Sequence, residues 1–186
     1  MKNINILLFL SIIFTISCKA QTIVPLKTSP LDAPENAYYK DLNNELNKFE
    51  GTWQYANGNT SFTMVLEKKI KVDMDDYYND KIVGWYKYIE NGQVIINTLL
   101  NTNDFYIIYG SNLSDDGKRL IVHFEDPTRP KVSYQVRLDV VSSSTPSIPK
   151  LDFKIFQTGV APTLPGETPA NQGITIPKQM QLIKQP

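Results

Sequence analysis

Lys131-Val132-Ser133-Tyr134-Gln135-Val136-Arg137-Leu138-Asp139-Val140 is the stretch that decides the fold. Val132, Tyr134, Val136, Leu138 and Val140 share one face of an extended chain; Lys131, Ser133, Gln135, Arg137 and Asp139 share the other. Side chains alternate across a strand, so a period of two with one apolar face means a half-buried antiparallel strand. Residues 150–156 repeat the pattern with Leu151, Phe153 and Ile155 inward, and residues 61–67 with Phe62, Met64 and Leu66 inward. Further β runs fall at 51–56, 80–89, 93–100, 105–110, 119–125 and 174–184.

The connections carry turn chemistry. Asn91-Gly92 stands between two β runs, and both residues tolerate the positive φ of a tight hairpin. Asn57-Gly58, Asp115-Asp116-Gly117 and Asp126-Pro127 punctuate the rest. About nine strands joined by hairpins predict an antiparallel meander, and an up-and-down β-barrel would bury the apolar faces while leaving no free edge. A two-sheet β-sandwich would use the same alternation. Residues 158–173, rich in Pro and Gly, predict a long loop before the last strand. Leu42, Leu46 and Phe49 lie at helical spacing, which predicts a short N-terminal helix within 38–49, ended by Gly51. Residues 38–186 then form a single domain.

The N-terminal part reads differently. Met1-Lys2-Asn3 is a short positive start, and Ile6 to Ile16 is an almost unbroken apolar run of 11 residues. That is the length of a signal-peptide core and too short for a bilayer span, which takes about 20 residues. Thr15-Ile16-Ser17-Cys18 resembles the lipobox of bacterial lipoproteins, with Thr15 where the family favours Leu. The resemblance implies removal of residues 1–17, acylation of Cys18 with chains such as palmitate, and a membrane as partner through that lipid; two acyl chains anchor stably where one is marginal. Cys18 is also the chain's one cysteine, so no internal disulfide can form. Residues 18–37, with Pro25, Pro30 and Pro34, read as a tether between lipid and domain. The chain resembles the short, uncharacterised lipoproteins of the Bacteroidota, in which a Cys-Lys-Ala-Gln start recurs. Lys19 in place of the Asp linked to inner-membrane retention, and the lack of an acidic export patch, imply the periplasmic face of the outer membrane.

At the entry to the domain stands Phe49-Glu50-Gly51-Thr52-Trp53. It resembles the opening of the calycin superfamily, lipocalins with Gly-x-Trp and fatty-acid-binding proteins with Phe-x-Gly-Thr-Trp. The resemblance implies a lipocalin-like barrel in which Gly51 turns the chain onto the first strand and Trp53 plugs one end. It also implies that a basic residue of the last strand, Lys184 by position, packs over the indole. Phe49, Gly51, Thr52, Trp53 and Lys184 are thus structural positions rather than ligand contacts.

Chemistry is sparse elsewhere. Formal net charge is zero, with no basic stripe for nucleic acid. His123, the one histidine, alternates onto the polar face. No Gly-x-Ser-x-Gly elbow accompanies it, and the Cys and His ligands of a structural zinc site are missing. The acidic run Asp73 to Asp80 lacks the Gly and distal Glu of a calcium loop. Trp85, Tyr86 and Tyr88 cannot all face one way, so some of them must lie outside the barrel or at its mouth. The expectation is a non-enzymatic envelope lipoprotein with a structural or interaction role and no metal or cofactor. Its partner would be an envelope protein; the alternative is a small apolar ligand inside the barrel.

Overall fold

Ten of the eleven strands among the described residues of the computed structural model lie in one continuous hydrogen-bonded path, and that path closes on itself. The structure describes residues 21–100, 105–142 and 148–186. The wall consists of β3 (Gly51–Asn57), β4 (Thr60–Asp73), β5 (Tyr78–Glu90), β7 (Ile108–Leu113), β8 (Arg119–Phe124), β9 (Val132–Val140), β10 (Lys150–Val160) and β11 (Gln179–Lys184). Each pairs antiparallel with its neighbour in this order, and β11 returns to β3 through Ile183↔Gln54 and Lys184↔Trp53. The pairing that decides barrel over sandwich is β5 with β7, Ile82↔Gly110 and Gly84↔Ile108. The result is an eight-stranded, lipocalin-like up-and-down barrel.

Period-two patterning selects the inner face. Phe62, Met64, Leu66, Tyr134, Val136, Leu138, Leu151 and Phe153 are all buried, while their sequence neighbours face out. Four rings fill the middle of the barrel. Phe62 lies 5.5 Å from Tyr86 and 5.3 Å from Phe153, and Phe124 lies 4.6 Å from Tyr86 and 6.3 Å from Phe153. Tilted and edge-on pairs at these separations add to the gain from burial itself.

β5 is the strand on which everything else hangs. One edge pairs with β4 along its length. The other serves three strands in succession: β2 (Tyr38–Lys40) in parallel at Tyr78 and Asn79, β7 at Ile82 to Gly84, and β6 (Gln93–Asn97) at Lys87 to Glu90. β1 (Ile23–Pro25) adds in parallel to β2. Three residues of the stretch read as a tether are therefore a strand, and the Pro-rich segment rests against the barrel from residue 22 onward.

The short N-terminal helix is corrected. Tyr38–Lys40 is strand, and Glu45–Lys48 is a single 3-10 turn preceded by Asn44 in the left-handed region. Parallel pairing of Tyr38 and Tyr39 with β5 outcompetes a three-residue helical match. The turn still buries Leu46 and Phe49, while Leu42 is left more than half exposed. The final strand is shorter than its pattern predicts, because residues 161–178 cross one end of the barrel before β11 begins and bury Ile176 there.

Candidate functional site

The Phe49–Trp53 stretch and Lys184 converge at one barrel end. Gly51 has φ +116, a conformation that favours glycine, and a Cβ there would lie 2.8 Å from Lys184 Cε. The tight approach lets Lys184 Nζ sit 5.4 Å from the centre of the Trp53 ring. Trp53 Nε1 donates to the Phe49 carbonyl at 2.8 Å, and the Thr52 carbonyl accepts from Gln185 N at 2.8 Å. Phe49 and Trp53 are fully buried. Burial of Phe49 and Trp53, the close approach of Lys184 to Gly51 and the cation over the indole together close this end of the barrel. Cys18 lies outside the described residues.

A buried polar network ties the N-terminal segment to this end. Asp80, at the end of the acidic run, accepts from Tyr38 Oη at 2.6 Å, Asp41 N at 2.9 Å and Lys71 N at 2.9 Å. Burial, with the Asp80 carboxylate at hydrogen-bond distance, pushes the Tyr38 hydroxyl up to about 12. Asp41 accepts from the backbone of Glu45 and Leu46 and from Lys68 Nζ at 2.8 Å. Burial works to raise its pKa, and these hydrogen bonds outweigh it and hold the Asp41 carboxyl below the usual aspartate range. Each acceptor here is matched, which marks a structural joint rather than a reactive centre.

Beside the joint a cleft of about 540 Å³ opens between residues 26–29 and the outer wall of β5 and β7. Tyr39 and Tyr77 stand edge to face at 5.3 Å on one side. Asn79 Nδ2 donates to Ser111 Oγ at 2.8 Å, while Asn79 Oδ1 is buried with no hydrogen-bond partner among the described residues. Lys27, on the rim, is occupied: its Nζ lies 2.8 Å from Glu45 Oε2 and 2.9 Å from the Asp115 carbonyl. Nothing in the alternation of the sequence links residues 26–29 to Ser111, so only the tertiary structure reveals this cleft.

The outer face of β5 is the other departure from pattern. Tyr86 and Tyr88 point inward, and Trp85 points outward yet is buried, its Nε1 donating to the Phe105 carbonyl at 3.0 Å. Lys81 lies on the same outer face, 9% exposed, with Nζ 3.6 Å from Met74 Sδ and 5.7 and 5.9 Å from the rings of Tyr106 and Tyr109. Loss of solvent lowers its pKa below the usual lysine range. His123 lies on the next strand but one along this face, stacked on Tyr109 at 4.7 Å and 3.6 Å from Glu125. A smaller cleft of about 300 Å³ lies between His123, Glu125, Arg129 and Phe105. Among the described residues no three His, Cys, Asp or Glu side chains converge to hold a metal ion.

Comparison with known proteins places the chain in a family and goes no further. The model of a family of unknown function, DUF6705, matches residues 1–185. No curated protein and no solved structure matches the chain. Among the described residues no helix is long and apolar enough to cross a membrane, which says nothing of membrane β-barrels.

Proposed function

The chain belongs to DUF6705, and we propose that this member is an envelope lipoprotein, acylated at Cys18 and held at the periplasmic face of the outer membrane, that works without catalysis through its outer surface. One observation carries the reading: the four rings of Phe62, Tyr86, Phe124 and Phe153 occupy the middle of the barrel, while clefts lie on its outside. An eight-stranded barrel has an interior about the width its own side chains need, so rings of this size leave a small apolar ligand little to occupy. Function then falls to the exterior: the cleft against the N-terminal segment, and the outer aromatic face with the exposed Phe105.

The proposed role has a direct test. Protein extracted from its own membranes is measured by native mass spectrometry and, separately, crosslinked before extraction. The expected result is a mass equal to the mature polypeptide plus acyl chains on Cys18, with no retained ligand, and at least one crosslinked species through the outer surface. A fatty acid or similar apolar molecule retained by the folded barrel would overturn the external reading. A Cys18→Ala variant is expected to lose lipid labelling and leave the membrane fraction at high salt; retention there would overturn the anchor.

A further inference from the structure

We propose that the cleft between residues 26–29 and the outer wall of β5 and β7 binds a sugar ring of a neutral oligosaccharide. This rests on the reading that the outer surface is the working one, and it gives that surface a ligand class. Size is the first argument. About 540 Å³ falls within the range of small-molecule sites and accommodates one or two sugar rings.

The chemistry of the walls is the second argument. Sugars present apolar C–H faces and a periphery of hydroxyl groups, so a matching site needs aromatic surface beside neutral donors and acceptors. Tyr39 and Tyr77 supply the aromatic surface, and Leu26 and Leu113 the apolar backing. Thr28, Ser111 and Asn112 supply hydroxyl and amide groups around it. Charge argues for a neutral ligand. Of the two charged lining residues, Lys27 already has Glu45 and the Asp115 carbonyl as partners, and Asp115 is itself an acid, so the cleft is poorly suited to a carboxylate or phosphate.

The third argument is an unmet hydrogen bond. Ser111 Oγ accepts from Asn79, which leaves the serine proton available to a ligand oxygen. Among the described residues Asn79 Oδ1 is buried without a donor, a state proteins avoid because it forfeits the hydration of the group with nothing in return. Asn79 lines the cleft, so a small turn of its amide on binding would bring that acceptor to a ligand hydroxyl. Residues 26–29 build one wall of the cleft, so the docked N-terminal segment is part of the site.

The test is saturation-transfer NMR on the full protein in a detergent without sugar headgroups, with chitobiose, lactose and maltose as probes. Transfer to the ring protons of at least one disaccharide is expected, together with at least a tenfold loss of affinity in Tyr77→Ala. Asn112→Trp fills the cleft from an exposed position, leaves the core untouched and should abolish transfer; Val94→Ala, exposed on β6 and absent from the lining of either cleft, should not change it. Absence of transfer from all three sugars at millimolar concentration, or binding unaltered by Asn112→Trp, overturns the proposal. Crosslinked protein partners without sugar binding would sink this inference alone. An apolar ligand retained in the barrel would instead sink the external reading, and the sugar titration would still read out separately.

Discussion

The two ends of the barrel are closed by different physics. At one end Leu46, Phe49 and Trp53 are buried as a contiguous apolar plug, and Lys184 lies across the indole. At the other, residues 161–178 cross the opening on polar fastenings. Arg129 donates to the Asn171 and Gln172 carbonyls at 2.9 and 3.2 Å and to Thr175 Oγ1 at 3.0 Å. Lys131 pairs with Glu167 at 2.6 Å, and Tyr134 Oη donates to the Gly173 carbonyl. Few side chains from the crossing segment are buried: Ile176 fully, with Ala170 and Ile174 packed against the core. A plug made of buried rings is part of the cooperative core. A strap made of exposed and half-exposed polar contacts can open locally without unfolding the barrel. One end is therefore closed by the core itself and the other by a segment fastened over it.

That contrast can be broken most forcefully at the plug. Trp53→Ala removes a fully buried indole and leaves a cavity, at a cost of about 3–5 kcal/mol, which a urea titration would read as a large fall in midpoint. A small fall would mean that the plug is not part of the core. The strap should respond in another way. Arg129→Ala removes charge-assisted bonds to three residues of the crossing segment, each worth about 1.5–3 kcal/mol at most and less where exposed. Amides of residues 161–178 should exchange with deuterium at least tenfold faster, while the unfolding free energy of the whole barrel falls by about 1 kcal/mol or less. Equal loss of protection in β9 and β10 would show the strap to be as cooperative as the plug. The smallest effect belongs to Lys184→Met, which keeps the aliphatic stem over Gly51 and deletes the cation over Trp53. About 0.5–1 kcal/mol is expected, a shift of about 1–4 °C in thermal midpoint. A larger loss would assign the ammonium a role beyond the indole.

The fold was legible because the wall strands alternate. In β9 the inward residues Val132 to Val140 and the outward Lys131 to Asp139 fall where the period places them. Nine of the strands stand where the pattern predicts, with ends shifted by a few residues. β1 and β2 were not legible, because a three-residue parallel strand is defined by the edge it joins and carries no period of its own. Trp85 shows the same limit: alternation puts it outside, and only residues 105–109, folding back over β5, explain why it is buried there. The cleft was equally hidden, since Thr28, Tyr77 and Ser111 are far apart in the chain and none carries a motif.

By itself the sequence determined the strands, the turns and the plug. These depend on local periodicity, on positive-φ residues such as Asn91 and Gly92, and on the short reach from Phe49 to Trp53. Tertiary structure decided closure, which rests on three residues of β5 meeting three of β7, and it decided the outer surface. An inner face is a property of one strand and can be read from it. An outer face acquires a cleft only where distant segments are brought together, and that depends on which edges of β5 remain open once β4 has taken the other side.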